Sequence, residues 1–207
     1  MAADAMHLRP GALVVLEGLD RTGKSTQMSA LQELRWDDPV PVFAHMPSGL
    51  TDLTQAIYRL TEAERIASPL ARQLLHLACH AENLGPLDLA RRERAVVLDR
   101  WWWSTMAYGW YAGRVAEHGV DEALFRDLIG TVWAGQQADV VFLFTTPYER
   151  DGHNRSEVHE AYELLAAEHP DLTVRVPRLS PVETTAFLVS ALRERRISTE
   201  SGDGSGR

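Results

Sequence analysis

The sequence predicts an α/β fold in which a doubly wound, five-stranded parallel sheet carries helices on both faces. Strand-like and helix-like segments alternate along the chain, as in repeated strand–helix–strand units. The strand-like segments are continuous apolar runs, which favours strands that are buried on both faces. At 207 residues the chain suits a single domain, and no repeat or linker divides it.

Five short segments rich in Val, Leu and Phe fit the strands of this sheet. They are residues 13–17, 40–45, 95–99, 140–145 and 172–176. Since the carboxyl ends of parallel strands meet at one edge of a sheet, we expect the ligand site at that edge.

The segments between these strands have helical patterns. The predicted helices cover residues 25–36, 51–60, 68–84, 104–118, 121–133, 157–169 and 181–196. Ser180 and Pro181 suit the N-cap and the first position of the last helix. The predicted domain spans residues 11–197, after an N-terminal extension of residues 1–10. The Ser/Gly-rich residues 198–207 are predicted to be a disordered tail.

Composition and charge exclude several classes of protein. The net charge is −8 and the pI is near 5.5, whereas general nucleic-acid binders present basic surfaces, so we expect no nucleic-acid partner. The single cysteine, Cys79, excludes an internal disulfide and suits a small core residue. No signal peptide and no run of 18 apolar residues is found, so we expect no membrane partner and a cytoplasmic location.

A glycine-rich segment after the first predicted strand has the spacing of a phosphate-binding loop. Gly18, Gly23, Lys24 and Ser25 match G-x-x-x-x-G-K-[ST], between an apolar strand and a helix-compatible stretch. The backbone N–H groups and the helix dipole attract phosphate, Lys24 adds a charge, and the Ser25 hydroxyl suits Mg²⁺. The sequence therefore predicts a site for a nucleoside triphosphate such as ATP, rather than a glycine-rich turn without a ligand. The predicted phosphate-binding residues are Gly18, Asp20, Thr22, Gly23, Lys24, Ser25 and Thr26.

A second polar pair, Asp99 and Arg100, ends the third predicted strand. Asp99 can hold Mg²⁺ through water or orient an acceptor oxygen, and Arg100 can bind an acceptor phosphate with paired donors. The alternative is an Asp99 helix cap beside an exposed arginine. Of the tryptophans 101–103 that follow, one or two can be core residues while another lines an aromatic slot.

Residues 17–27 (Glu-Gly-Leu-Asp-Arg-Thr-Gly-Lys-Ser-Thr-Gln) closely resemble the phosphate loop of thymidylate kinases. Asp99-Arg100, Ser104-Thr105 and Ala107-Tyr108 match later motifs of that family, and the resemblance runs in order from about residue 11 to residue 196. It implies a P-loop nucleotide kinase fold, with transfer of the ATP γ-phosphate to a nucleoside monophosphate, dTMP or a related pyrimidine nucleotide. It also implies Mg²⁺ as cofactor and a homodimer, to which the apolar stretches 70–77 and 123–132 can contribute.

The resemblance also implies roles for individual residues. Lys24, Arg21, Asp99 and Arg100 are the expected catalytic residues, with Ser25 and Asp99 serving Mg²⁺. Asp20 is expected to face the acceptor sugar, and Arg100 to hold the acceptor phosphate. The full set expected around the acceptor is Asp20, Met46, His76, His80, Arg100, Trp101, Ser104 and Tyr108.

The chain departs from the family around the acceptor. Residues 44–49 (Ala-His-Met-Pro-Ser-Gly) lack the arginine that the family usually carries there. His76 and His80 stand where the family tends to have a base-stacking phenylalanine and a base-binding arginine. Histidine can still stack and hydrogen-bond, but with a different donor pattern. The alternatives are two helix residues without a ligand role, or a pair of metal ligands with no third ligand evident.

The expected lid over the phosphates is short, at about residues 147–156, and carries Arg150 and Arg155. These arginines can reach the transferred phosphoryl group, or belong to a solvated loop. Three functions follow from the sequence: a dTMP kinase, a related kinase retuned to a modified nucleotide, nucleoside or specialised metabolite, and a non-catalytic nucleotide-binding protein. Gly49, His76, His80 and the tryptophans motivate the second.

Overall fold

The structure is a computed structural model that describes residues 5–63, 66–149 and 151–200. Its centre is a five-stranded parallel sheet in the order β3-β4-β2-β5-β6. The strands are β2 (Leu13–Gly18), β3 (Val42–His45), β4 (Val96–Asp99), β5 (Val140–Phe144) and β6 (Thr173–Arg175). The predicted sheet is confirmed, with strand ends that differ by a few residues.

Helices cover both faces of the sheet. They are α1 (Lys24–Gln32), α2 (Asp52–Ala63), α3 (Pro69–Glu93), α4 (Trp102–Ser104), α5 (Glu122–Val132), α6 (Ser156–Glu168) and α7 (Pro181–Glu194). Two further pieces lie between α4 and α5: a π-helix (Thr105–Tyr111) and a 3₁₀-helix (Val115–His118). The fold is therefore doubly wound, as the sequence predicts.

The central strand β2 shows why both faces need a cover. Leu13 and Val15 belong to a core cluster that also contains side chains of α3, α5 and α6. Val14 and Leu16 belong to a second cluster with side chains of α1 and α7. Because successive strand side chains point to opposite faces, an all-apolar strand needs helices on both sides.

Three predicted helices have different extents in the structure. The predicted helix 25–36 ends at Gln32, and Trp36 instead forms a bridge with Met6. The predicted helix 68–84 continues to Glu93, through Gly85 and Pro86. Leu87 is fully buried in the core beyond this proline, so packing outweighs the local helix-breaking preference. The predicted helix 104–118 is instead divided into the π-helix, a break with left-handed backbone at Arg114, and the 3₁₀-helix.

The two ends of the chain form a feature that the sequence prediction missed. Within the predicted N-terminal extension, β1 (Met6–Leu8) pairs antiparallel with β7 (Ser198–Glu200), which lies in the predicted disordered tail. Leu8 and Ile197 are buried against α7 in the second core cluster, and this burial fixes the two strands against the domain. The rest of the predicted tail, residues 201–207, lies outside the described residues.

Candidate active site

The phosphate loop connects β2 to α1 and passes very close to β5. Gly18 has a φ of +130°, and a Cβ added to it would lie 1.9 Å from the carbonyl oxygen of Phe144. Gly23 has a φ of +93° and caps the start of α1. Glycine alone fits both positions, so the loop can curl around a phosphate with its N–H groups exposed to the ligand.

Lys24 lies inside this loop with its ammonium group enclosed. Its Nζ donates hydrogen bonds to the carbonyl oxygens of Gly18, at 3.1 Å, and Leu19. Burial lowers the pKa of Lys24 to about 8. Two neutral carbonyls compensate a buried cation only partly, so an anionic ligand is the partner that this group lacks.

The remaining residues of the loop differ in exposure. The buried Thr22 hydroxyl donates to the Leu19 carbonyl at 2.8 Å and thereby stabilises the turn. Ser25 and Thr26, at the start of α1, are exposed to the cavity above the loop. Their hydroxyls are therefore accessible to a ligand in this cavity.

Asp99 and Arg100 lie beside the loop because β4 pairs with β2. Asp99 is opposite Leu16 in the register, is 7% exposed, and has an Oδ1 atom without a hydrogen-bond partner among the described residues. The Arg100 guanidinium forms an ion pair with Asp20, donates to Ser104 Oγ at 3.0 Å, and lies 5.2 Å from the ring centre of Tyr108. The pair is thus part of the site rather than a helix cap beside an exposed arginine.

Glu17 is a site residue that the sequence prediction missed. Its side chain is fully buried, and its carboxylate accepts hydrogen bonds from the N–H groups of Trp101 and Ser104 at 2.7 and 3.0 Å. The Ser104 and Tyr162 hydroxyls donate to the other oxygen, at 2.6 and 3.1 Å. A carboxylate within an otherwise apolar strand was the available signal, because a buried charge needs partners.

A cavity of about 1110 Å³ opens above the carboxyl ends of the strands. It contains the phosphate loop at one end and the expected acceptor residues at the other, so the structure brings both predicted groups together. The predicted residues that line it are Asp20, Arg21, Thr22, Gly23, Lys24, Ser25, Thr26, Met46, His76, His80, Asp99, Arg100, Trp101, Ser104, Tyr108 and Arg155. Met46 contributes only to the wall, because its side chain is fully buried.

The acceptor end of the cavity contains histidines whose positive form is disfavoured. His80 is 2% exposed, and its Nε2 lies 3.0 Å from Thr105 Oγ1. Burial lowers the pKa of His80 to about 3 and that of His76 to about 4, and burial also lowers the pKa of His45. At neutral pH these imidazoles are therefore uncharged.

Several polar atoms at this end have no hydrogen-bond partner among the described residues. They are His76 Nε2, His80 Nδ1, Gln73 Oε1, Tyr108 Oη and Trp101 Nε1, all from side chains that line the cavity. Unpaired buried polar atoms are costly, so their grouping indicates a polar ligand. Gln73 was missed by the sequence prediction, because nothing local distinguishes a glutamine on a helix.

The three tryptophans separate into one cavity residue and two packing residues. Trp101 lines the cavity, with its ring 6.0 Å from that of Trp133. Trp103 is fully buried and stacks on His169 at 5.8 Å, and Trp102 contacts the same histidine edge-on. Of these three tryptophans, Trp101 is therefore the one that is available to a ligand.

The short predicted lid lies directly on the phosphate loop. Asn154 accepts a hydrogen bond from the Asp20 N–H at 2.8 Å and donates one to the Asp20 carbonyl at 2.7 Å. Arg21 pairs with Glu149 and Asp151, each at 3.2 Å, so its guanidinium contacts the lid. The loop and the lid are thus joined through both backbone and ion pairs.

The structure describes one of the two predicted lid arginines. Arg155 donates to the carbonyl of Ala112 beyond the π-helix, which fixes its guanidinium at the rim of the cavity. Arg150 lies outside the described residues. Among the described residues of the lid segment, Arg155 is therefore the arginine that lies at the rim of the cavity.

Potential metal ligands cluster at one place among the described residues. One group of three lies within 4.8 Å and consists of Asp20, Asp151 and His153. Both carboxylates in it already pair with arginines, Asp20 with Arg100 and Asp151 with Arg21. His76 and His80 belong to no such group there, so the alternative of a histidine metal pair lacks a third ligand among the described residues. Within those same residues, no helix has the length and apolar character needed to cross a membrane.

Comparisons with known proteins agree on one family. The family model described as thymidylate kinase matches residues 16–168. The thymidylate kinase of Parasynechococcus marenigrum is 35% identical over 160 residues, covering 70% of this chain and 72% of the relative. That of Leifsonia xyli subsp. xyli is 31% identical over 212 residues, covering 91% and 97%.

Solved structures show the same fold. The crystal structure of thymidylate kinase from Ehrlichia chaffeensis superposes with a TM-score of 0.72 at 21% identity, covering 88% of this chain and 98% of that one. The thymidylate kinase of Candida albicans gives 0.65 at 20% identity, covering 95% and 97%. The predicted nucleotide kinase fold is thereby confirmed.

Proposed function

The chain belongs to the thymidylate kinase family and is a nucleoside monophosphate kinase, and from this premise we propose that it transfers the γ-phosphate of ATP to dTMP or a closely related pyrimidine nucleotide. The observation that carries the proposal is the single cavity. It joins a cationic phosphate loop to a pocket with neutral histidines and unpaired polar atoms. A phosphate oxygen of the acceptor would attack the γ-phosphorus, and ADP would leave with the bridging oxygen.

The donor triphosphate would occupy the phosphate loop. N–H groups of the loop and of the first turn of α1 would bind the phosphates, and Lys24 would exchange its carbonyl partners for phosphate oxygens. A lysine that leaves two neutral acceptors for an anion gains Coulomb energy, which favours ATP in this loop. Arg21 would add charge if it left its lid partners.

Asp99 and Ser25 fit a magnesium ion. The Oδ1 atom of Asp99 is buried without a partner among the described residues, and the Ser25 hydroxyl is exposed in the same cavity. Carboxylate and hydroxyl oxygens are ligands that Mg²⁺ accepts, directly or through water. When bound, Mg²⁺ would neutralise charge on the transferred phosphoryl group.

Arg100 would hold the acceptor phosphate. Its guanidinium is largely buried, lies over the Tyr108 ring and pairs with Asp20. A phosphate can take bonds that now go to Asp20, and the freed carboxylate would then face the acceptor sugar. Ser104 supports this arrangement because its hydroxyl accepts from Arg100.

The base would bind among uncharged groups. Gln73, His76 and His80 offer unpaired amide and imidazole atoms, and Trp101 and Tyr108 offer aromatic surface. A neutral base suits this histidine wall, because the uncharged imidazoles of His76 and His80 offer hydrogen bonds but no counter-charge. The neutral His80 also favours a second candidate, a kinase of the same type whose acceptor is a modified nucleotide, a nucleoside or a specialised metabolite.

A homodimer and a cytoplasmic location complete the proposal, with neither nucleic acid nor membrane as a partner. Apolar side chains that are about half exposed lie on α2, α3 and α5 (Leu53, Leu60, Leu74, Leu124 and Leu128). Exposed leucines on neighbouring helices suit an interface between copies. Light scattering should give twice the 23.2 kDa chain mass, and a 23.2 kDa species alone would reject the dimer.

The function is tested by ADP formation with ATP, Mg²⁺ and a panel of acceptors: dTMP, dUMP, dCMP, thymidine and 5-substituted dUMP analogues. We expect dTMP to give the highest kcat/KM. Turnover of another acceptor with dTMP at background would favour the second candidate. Hydrolysis of ATP that no acceptor accelerates would contradict both.

A further inference from the structure

The buried carboxylate of Glu17 is placed next to Arg100 without contacting it directly. Glu17 precedes Gly18 at the end of β2, and Arg100 follows β4, the neighbouring strand. One oxygen of Glu17 accepts two N–H bonds from the first turn after Arg100. The other accepts from the hydroxyl of Ser104, which itself accepts from Arg100. Glu17 is thus connected to Arg100 by both main chain and side chain.

Burial raises the pKa of the Glu17 carboxyl, and the hydrogen bonds from Ser104 and Trp101 and the charge of Arg100 oppose that rise. The N–H groups of Trp101 and Ser104 can only donate, and the Ser104 oxygen already accepts from the Arg100 guanidinium. The Ser104 hydroxyl lies 2.6 Å from Glu17 and 2.8 Å from the Tyr162 hydroxyl, and Tyr162 lies 3.1 Å from the same Glu17 oxygen. A carboxylate surrounded by donors accepts in all of these bonds only when it carries no proton. In that ionised form its negative charge faces Arg100 across one hydroxyl.

The backbone at Arg100 needs such support. Its φ is +72°, in the left-handed region that non-glycine residues adopt at a cost. The Arg100 N–H donates to Leu16 at 2.9 Å, and the next N–H, of Trp101, donates to Glu17. These two bonds tie both sides of the strained residue to β2. The strain turns the side chain back over the phosphate loop, where it lies 3.4 Å from the Gly18 carbonyl.

We propose that Glu17 is a positioning residue that fixes the Arg100 guanidinium for the acceptor phosphate, through Ser104 and the turn after β4. The inference rests on the proposed function, in which Arg100 holds that phosphate. It assigns this further carboxylate of the site a task different from those of Asp20 and Asp99. Glu17 does not line the cavity, so it would act through Arg100 rather than on the substrate.

The test compares how much each substitution changes the KM of the acceptor dTMP with how much it changes the KM of ATP. Glu17→Gln keeps the side-chain size but replaces one accepting oxygen by a donor, so the Arg100 turn loses part of its support. We expect the KM of the acceptor dTMP to rise about tenfold and that of ATP to change less than twofold. Ser104→Ala, which removes only the hydroxyl link, should shift the acceptor KM in the same direction. A merely structural role would move both constants together.

A matched control breaks another buried polar cluster at the opposite end of the sheet. Gln136 is 5% exposed and accepts from Arg91 at 2.7 Å. Gln136→Leu should lower the melting temperature without changing either Michaelis constant. Ser104→Ala decides the test if Glu17→Gln does not fold.

Arg100→Ala separates failure of this inference from failure of the proposed function. If Arg100→Ala raises the acceptor KM while Glu17→Gln and Ser104→Ala do not, or raise both constants equally, the inference is overturned and the proposed function stands. If Arg100→Ala itself leaves the acceptor KM unchanged, the proposed role of Arg100 and the inference both fail.

Discussion

The donor end and the acceptor end of the cavity are built from different kinds of side chain. At the donor end, Lys24 is a buried cation with two neutral carbonyls as partners, and glycine backbone surrounds it. At the acceptor end, buried imidazoles are uncharged and several polar atoms are unpaired. We therefore expect charge to govern binding at the donor end, and shape and hydrogen bonds to govern it at the acceptor end. Arg100 lies between the two.

The largest effect that we predict is at the donor end. Lys24→Ala should lower kcat about 10³-fold, because the loop loses its buried cation next to the transferred phosphate. The measurement is coupled ADP formation at saturating dTMP. Arg9→Ala, which removes an exposed ion pair with Asp139, serves as a control and should leave kcat unchanged. A decrease in kcat of less than tenfold in Lys24→Ala would contradict the view that the donor end depends on a buried cation.

Lowering the pH should destabilise the folded protein, because burial keeps the His80 imidazole uncharged. His80 has its pKa lowered to about 3, below the ordinary value near 6.5, so the unfolded chain takes up this proton first. The contribution of the neutral His80 to the free energy of unfolding is fully present above about pH 6.5. It is lost progressively as the pH falls towards 3. Between pH 7 and pH 5 the loss from His80 should be about 2 kcal/mol.

This loss is measured by urea unfolding at the two pH values. His80→Asn should reduce the loss, whereas His118→Asn, at an exposed histidine, should not. Equal acid sensitivity of wild type and His80→Asn would show that His80 is not held neutral by burial.

A substitution of His80 should change acceptor selectivity, by a smaller factor than Lys24→Ala changes kcat. His80→Phe keeps a ring beside Trp133 but removes both nitrogens, including the unpaired Nδ1. We expect the ratio of kcat/KM between dTMP and dCMP to fall about fivefold, since a lost hydrogen bond to the base is worth about 1 kcal/mol. Unchanged selectivity together with a lower melting temperature would reduce His80 to a packing residue.

The smallest effect is expected at the lid. Arg155→Ala should lower kcat less than threefold, because its guanidinium is bound to the Ala112 carbonyl at the rim rather than directed at the loop. The same assay at saturating ATP measures it. A loss of 10²-fold or more would mean that the lid supplies a cation to the transferred phosphate.

The same two ends differ in how well the sequence predicts them. The phosphate loop requires fixed residue types at fixed spacing, so Gly18, Gly23 and Lys24 are recognisable locally. Asp99 and Arg100 are recognisable because they end a buried strand. The parallel sheet follows from continuous apolar runs between helical segments.

What the sequence analysis missed depends on contacts between distant segments. Glu17 gains its role from donors on the turn after β4 and on α6, and Gln73 from the cavity wall. The pairing of β1 with β7 joins the two ends of the described chain, and neither three-residue strand has a periodic pattern long enough to detect. The π-helix likewise follows from packing against α3 and α6 rather than from helix propensity.

The central claim is that one cavity binds donor and acceptor side by side. It is tested most directly by a single ligand that spans both ends, adenosine and thymidine joined through a chain of five phosphates, measured by isothermal titration. The account predicts one ligand per chain, at least about 10²-fold tighter binding than ATP, and competition by ATP and by dTMP. Binding no tighter than that of ATP, or competition by ATP alone, would contradict it.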